Sequence, residues 1–423
     1  MRILMISDHA DPLADIGSKE AGGQNIYVYN LARFLAREGI FVDIFTRWDR
    51  KNKKEVVKRN HHLRIFRVKA GPKKYFPRDD FLNILPEFTN NIQKKIEKEN
   101  IKYDLVHTNY WYSGIAGLEL IKKLQIPLIH VYHSIGKIRL ETLRNFIFQE
   151  NELDFYEKRI LSEKEIAKNS SAVISTSPVE KTLIDKAFGL NGRQNIKVIP
   201  IGVNLDIFKP FDRNSCRKKI KQDLDSDIIL YVGRLEWRKG IGTLLYSMKD
   251  VLKKFPKAKL LIIGGGKTKS EKDIEATELE RQQKIIDELD LGESVEYLGP
   301  ISQKELPQYY GAADLCVVPS YYEPFGIVPL ESMACGTPVV ASKTGGLKYT
   351  VLPGKTGELS AVRDYDDLAN KIIQVLGKGK AFYSKNCVKR TRQLFSWQNI
   401  AKSYVSFFEE LRRPDEDSNV GTF

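Results

Sequence analysis

Short apolar runs alternate with amphipathic stretches along nearly the whole chain, and the alternation starts afresh once. ILMIS (3–7), IFVDIFT (40–46), YDLVHT (103–108), PLIHVYH (127–133) and SAVISTS (171–177) are too short for buried helices and are bounded by polar or turn residues. Each is expected to be a buried strand. Between the first two, residues 25–38 place Ile26, Tyr29, Leu31, Phe34 and Leu35 at three- and four-residue spacings, and Gly39 follows as a stop. That spacing predicts an amphipathic helix. Repeated strand–helix units imply a parallel sheet covered by helices on both faces. The stretch VIPIGVNLDIFKP (198–210) interrupts the pattern with two prolines and a glycine, and reads as a linker. The pattern then resumes with IILYVG (228–233), KLLIIGGG (259–266), SVEYLGP (294–300), LCVVPS (315–320) and PVVAS (338–342).

The expected fold class is therefore α/β, with two Rossmann-like, doubly wound domains, residues 1–205 and 206–396, facing each other across a cleft. A length of 423 residues suits two such domains. A final helix is expected over 397–412, apolar at Ile400, Tyr404, Phe407 and Phe408, and the polar tail 413–423 is expected to lack fixed structure. Open parallel sheets take ligands beyond the carboxyl ends of their strands, so the cleft is the expected site.

Composition narrows the functional classes. No uncharged apolar run reaches the ~18 residues of a membrane-spanning helix, and MRILMISDHADP turns polar too quickly for a secretory leader. The expectation is a cytoplasmic protein. The four cysteines, Cys216, Cys316, Cys335 and Cys387, have no CxxC spacing, which argues against a disulfide framework or a zinc knuckle. No His, Cys or carboxylate cluster has metal-ligand spacing, so no metal and no resident cofactor is expected; Asp223 and Asp225 read as surface. The net charge of +14 favours anionic partners. Twelve of the 68 Lys and Arg residues fall within 47–74, beside only Asp49 and Glu55. The plain reading of that stretch is a solvated hairpin or loop; the sharper one is a patch for acidic lipid, giving weak association with anionic membrane. Only Trp48 and Phe66 are aromatic there, too few for a nucleic-acid stacking platform, so no nucleic-acid partner is expected.

Four segments could carry chemistry. The glycine-bearing loop 17–24, with Gly22 and Gly23 opening the first long helix, offers backbone amides to an anion. It lacks the GxGxxG dinucleotide pattern, and a tight turn is the alternative. Arg234 and Lys239 lie five residues apart after the first strand of the second domain, where they could clamp a diphosphate from two sides; a solvated basic loop is the alternative. Glu323 and Glu331 bracket the turn Pro324-Phe325-Gly326-Ile327 among apolar neighbours, where carboxylates could accept from sugar hydroxyls and the turn could present amides. His133 ends a strand, the position where functional groups cluster in α/β domains; a satisfied core histidine is the alternative.

The segments AGGQNIYVYNLARFLAREG, GRLEWRKG and EPFGIVPLESMACGTPVVAS, taken in that order, resemble the retaining glycosyltransferases of family 4, which have the GT-B fold. The likeness runs from Met1 to about Leu411. The segments HADPLADIGSKEAGGQN, HTNYWYSGIAG and YHSIG resemble two subgroups in particular, the D-inositol-3-phosphate glycosyltransferases and the sucrose-phosphate synthases. The resemblance implies a hexosyltransferase taking a nucleoside-diphosphate sugar as co-substrate and a phosphorylated small molecule as acceptor. UDP-glucose and fructose 6-phosphate, a step of sucrose biosynthesis, are the specific expectation. A membrane-surface enzyme acting on a lipid-linked or glycan acceptor is the alternative. It implies that Gly22 and Gly23 approach the donor diphosphate, that Arg234 and Lys239 hold it, and that Glu331 binds the ribose. It implies further that Glu323, Phe325, Gly326 and Ile327 hold the transferred sugar, with His133 beside the reacting centre. Asn25, Arg78, Tyr110, Ser134 and Arg159 would meet the acceptor and its phosphate. Arg78 and Ser134 stand where the inositol-phosphate enzymes have Lys and Thr. The last helix would cross back onto the first domain. Same-face attack, with no glutamate nucleophile and no metal, is the implied chemistry.

Overall fold

A computed structural model describes residues 1–14, 22–143, 150–192, 195–265 and 274–412. The first part of the glycine loop, 15–21, and the tail 413–423 lie outside the described residues.

The described residues form two sheets. The first holds β1 (Arg2–Ile6), β2 (Phe41–Arg47), β3 (Val56–Lys58), β4 (Leu63–Val68), β5 (Leu105–Asn109), β6 (Leu128–Val131), β7 (Ala172–Ser175) and β8 (Ile196–Val198), in the spatial order β3-β4-β2-β1-β5-β6-β7-β8. All its pairings are parallel except β3 with β4. The second holds β9 (Asp227–Val232), β10 (Ala258–Ile263), β11 (Val295–Gly299), β12 (Leu315–Val318), β13 (Val339–Ser342) and β14 (Gly357–Ser360), all parallel, in the order β11-β10-β9-β12-β13-β14. The strand order reverses between β1 and β5 in one sheet and between β9 and β12 in the other. Those two switch points are where ligands enter such sheets.

Local chemistry explains the elements. The runs at β1, β9 and β10 are buried on both faces, as covered parallel strands must be. The helix Pro178–Phe188 has Pro178 in its first turn, Ser177 accepting at Oγ from the Glu180 amide at 3.1 Å, and left-handed Gly189 at its end. The helix expected over 25–38 runs from Gly23 to Arg37.

The basic stretch 47–74 is in large part the expected solvated hairpin: β3 and β4 pair antiparallel, and Arg50, Lys51, Lys54, Lys58, Arg59, Lys69 and Lys74 are exposed. Three of its arginines depart from that reading: Arg47 and Arg67 are buried and Arg64 is partly buried. Arg67 pairs with Asp11 at 2.9 Å, Arg64 with Asp43 at 2.7 Å, and Arg47 donates to the carbonyls of Ala70 at 2.8 Å and Lys74 at 3.1 Å. Arg64 supports β4, which pairs with β2 on its other side and so joins the hairpin to the sheet. Periodicity missed β3, β4, β8 and β14 because each is short or interrupted by charge.

The two crossings between the sheets run side by side. Val203 in the expected linker bridges Ser396, and its amide donates to the Phe395 carbonyl at 2.6 Å. From there the helix Trp397–Arg412 lies on the helix Gly23–Arg37, with Trp397 edge-on to Tyr27 at 5.8 Å and the Tyr404 hydroxyl against that of Tyr27. No helix among the described residues is long and apolar enough to cross a membrane.

Candidate active site

The second sheet delivers its functional groups from the exits of β9 and β12. After β9 the chain turns through Gly233, Arg234 and Glu236 into the single turn Trp237–Lys239. Gly240 then has φ +73°, and a Cβ there would sit 2.0 Å from the Pro319 carbonyl oxygen. That close approach presses the cationic loop against the exit of β12. It brings Lys239 Nζ to 2.5 Å from Glu323 Oε2, joining two sequence-predicted residues. Burial pushes the Lys239 ammonium down while Glu323 opposes it; burial raises Glu323, and Lys239 and its neighbouring arginines more than reverse that. The pair is therefore charged, with each partner stabilising the other.

Arg234, half exposed, pairs with Glu236 at 2.6 Å, and Arg238 pairs with the other oxygen of that carboxylate at 2.6 Å. Burial works against ionisation of Glu236, but Arg238, Arg234 and Lys239 outweigh it and hold the carboxyl at about 2. Arg139 of the first domain contributes to the same field.

The turn after β12 carries Glu323, Phe325 and Gly326 into the helix Ile327–Ala334. Gly345, at φ +44°, could not carry a Cβ, which would lie 2.0 Å from the Glu323 carbonyl; the Gly346 amide donates to that carbonyl at 3.0 Å. Phe325 is buried edge-on to Phe395. Glu331 is buried one helical turn further in, accepting from the Tyr310 hydroxyl at 2.9 Å; burial pushes its carboxyl up to about 7. The two glutamates thus differ in burial and partner, Glu323 held by Lys239 and Glu331 by Tyr310.

The first sheet contributes from β1, β5 and β6. A Cβ at Gly23 would touch Ile327 Cδ1 at 3.4 Å, so the opening of the first long helix meets the start of the helix Ile327–Ala334 directly. Gly22 has an extended backbone, and its amide donates to Asn25 Oδ1 at 2.9 Å. Asn25 Nδ2 donates to the Asp11 carbonyl at 2.8 Å, which commits this sequence-predicted acceptor residue to tying down its own loop.

Arg159 joins two other predicted residues, Tyr110 and Ser134. Its Nη1 donates to the Tyr110 hydroxyl at 3.3 Å, and its Nη2 to the carbonyl and hydroxyl of Ser134 at 2.7 and 2.8 Å. Its Nε meets Glu163, one helical turn on, at 2.7 Å. Arg159 and Glu163 are both fully buried. Glu163 also accepts from the Gly136 amide at 2.8 Å. The guanidinium is a brace that bonds both the Tyr110 and the Ser134 hydroxyls, with its charge offset by Glu163. The side chain of Arg78 lies outside the described residues; its backbone opens the 3-10 helix Arg78–Ile84.

His133 has φ +59°, an uncommon conformation for a residue with a side chain. Its Nε2 lies 3.0 Å from Asn109 Oδ1, and its ring packs edge-on against Tyr27 at 4.7 Å. Burial, with His107 and His9 adding, pushes the imidazole down to about 3, so it is neutral at ordinary pH. Sequence reasoning missed Asn109, Glu163, Glu236 and Gly345. Asn109 ends β5 at the switch point and Glu163 is four residues from Arg159, so position and helical spacing were the available signals.

Two facing Rossmann-like domains, cations at a strand exit and two glutamates bracketing the turn after β12 define a GT-B glycosyltransferase. Residues 21–207 match the family model for Glycosyltransferase Family 4, and residues 212–394 match that for Glycosyl transferases group 1. The chain is 34% identical to a D-inositol 3-phosphate glycosyltransferase of Corynebacterium jeikeium over 97% of each protein. It is 31% identical to a mannosylfructose-phosphate synthase of Agrobacterium fabrum, over 96% of this chain and 91% of that protein. It superposes on the structure of a sucrose-phosphate synthase from Thermosynechococcus elongatus with a TM-score of 0.86 and 38% identity, covering 97% of this chain and 99% of that one. The chain belongs to this family of glycosyltransferases.

Proposed function

We propose that the protein moves a hexosyl group from a nucleoside-diphosphate sugar to a phosphorylated sugar or polyol, with retention at the anomeric carbon. UDP-glucose and fructose 6-phosphate are the specific pair. The observation that carries the acceptor class is the Arg159 cluster: a buried cation beneath the hydroxyls of Tyr110 and Ser134 is suited to a phosphate ester. The relatives that act on inositol phosphate or carry the name of a sugar-phosphate synthase support the same class.

In the proposed reaction the bond from the anomeric carbon to the β-phosphate oxygen breaks and negative charge grows on that phosphate. Arg234, Lys239 and the amides opening the helix Ile327–Ala334 stabilise the charge. The acceptor hydroxyl attacks from the same face and passes its proton to the departing phosphate oxygen. Glu331 accepts from the ribose hydroxyls. Glu323, held by Lys239, accepts from hydroxyls of the transferred sugar. These cations carry the work of charge stabilisation, so the proposal calls for no divalent metal.

The test is nucleoside diphosphate release from a panel of sugar nucleotides. Each is offered with fructose 6-phosphate, inositol phosphate, the unphosphorylated forms and a lipid extract, with and without chelator. Release that needs a phosphorylated acceptor and survives chelation supports the proposal, and the product's anomeric configuration by NMR decides retention. Release confined to unphosphorylated or lipid acceptors overturns the acceptor class.

A further inference from the structure

Three imidazoles gather beneath the cleft at the ends of β5 and β6: His107, His130 and His133. Only His133 reaches the cleft; the other two are fully buried. The group that links His133 to the fold is Asn109, itself fully buried.

The orientation of the Asn109 amide follows from its partners. One end lies 3.2 Å from the backbone carbonyl oxygen of Ile6, in β1. A carbonyl can only accept, so that end is the NH2. The same NH2 lies 3.2 Å from His107 Nδ1, which must then be the bare nitrogen of its ring. The other end of the amide, Oδ1, can only accept, and it faces His133 Nε2 at 3.0 Å. His133 must therefore carry its proton on Nε2. Its Nδ1 makes no hydrogen bond among the described residues. The chain from the Ile6 carbonyl through Asn109 to His133 thus has one consistent assignment of donors and acceptors. The Tyr27 ring against His133 and the left-handed backbone at that residue hold the imidazole plane.

We propose that Asn109 is a positioning residue that locks His133 in the Nε2–H tautomer, so that the imidazole offers Nδ1 as an acceptor for a hydroxyl proton of the transferred sugar. A neutral ring with the opposite tautomer would present a donor there and lose the bond to Oδ1. The proposal rests on the reading of His133 as the group facing the sugar, but the tautomer itself does not depend on turnover.

The experiment is a long-range proton–nitrogen correlation spectrum of the full-length protein labelled on histidine, with His133 assigned by the loss of its signals in His133→Gln. The wild type is expected to show Nε2 protonated and Nδ1 bare at neutral pH. Asn109→Leu is expected to lose the single tautomer, with turnover falling about tenfold or more. Asn109→Asp can accept from Nε2 and, when protonated, donate to Ile6, so it is expected to retain the tautomer and recover part of the turnover. A wild-type His133 that is charged or protonated on Nδ1 overturns the proposal. So does an Asn109→Leu protein with unchanged tautomer and turnover. Should Asn109→Leu fail to fold, loss of the tautomer in Asn109→Asp has the same force. A wild type that releases diphosphate from no sugar nucleotide would defeat the functional reading while leaving the tautomer assignment standing.

Discussion

The Lys239 ammonium sits 2.5 Å from the Glu323 carboxylate, a contact made by two loops 84 residues apart and leaving the two strands at one switch point. Removing one partner leaves the other partly buried and unpaired, which typically costs ~3–5 kcal/mol in a buried pair. Lys239→Ala is expected to lower turnover by ~10²–10³-fold, the usual effect of losing one donor to a developing negative charge. It should also lower the melting temperature. Adding Glu323→Gln to Lys239→Ala should recover part of that stability and none of the turnover. Thermal melts and diphosphate release on the four proteins check this, and additive losses of stability would contradict it.

Glu331 sets a pH dependence of known sign. Burial lifts its carboxyl to about 7 from an ordinary 4.5, so the folded protein holds this proton more tightly than the unfolded chain. The stability it contributes is full below the unfolded value and is lost as pH rises through about 7. Relative to Glu331→Gln, the wild type should therefore lose stability as pH rises from about 4.5 to about 7, with little further change above that. Donor binding should run the other way, because the ionised carboxylate is the stronger acceptor for ribose hydroxyls. Calorimetric titration of nucleoside diphosphate should show wild-type affinity gaining on that of Glu331→Gln as pH rises. A constant ratio would remove Glu331 from the ribose contact.

Arg159 should separate acceptor from donor. Arg159→Ala strands Glu163 in the interior with only the Gly136 amide, and a loss of about 3–5 kcal/mol is expected. Pairing it with Glu163→Gln should restore folding. The double variant should then show a raised KM for the phosphorylated acceptor with donor KM little changed, measured by initial rates over both substrates. An equal rise in both would mean that Arg159 serves the fold of the cleft alone.

The last helix is tied to the catalytic neighbourhood through the Tyr404 hydroxyl on Tyr27, whose ring lies against His133. Tyr404→Phe should cost about 1 kcal/mol, the worth of one hydrogen bond. Tyr404→Ala should cost about 3–5 kcal/mol, the range for emptying a large aromatic site in a core. Turnover of the Phe variant should stay within a few-fold of wild type, while the Ala variant should lose turnover through Tyr27 and His133. Denaturation curves and rates at matched folded fraction check both.

Much of this was legible in the residues. Period and punctuation placed β1, β5, β6, β7 and the strands that flank β12, because strands buried on both faces must be continuously apolar. Arg234 and Lys239 stood out by their place at a strand exit, and Glu323 and Glu331 because charges among apolar neighbours need a partner or a ligand. β3 and β4 were hidden for the converse reason: their arginines read as solvent-facing, whereas Arg64 and Arg67 are neutralised by Asp43 and Asp11 from distant segments.

The sequence alone determined the two α/β units, their linker and the short list of residues with reason to be functional, since each of these depends on neighbours within a few positions. Only the tertiary structure decided that Glu323 is held by Lys239 while Glu331 is held by Tyr310, and that Asn25 and Arg159 serve first as braces. It alone decided that Asn109 dictates which nitrogen of His133 bears the proton. Those outcomes turn on which donor meets which acceptor across β1, β5, β9 and β12, and pairing over such distances is set by how the sheets pack, not by any local pattern.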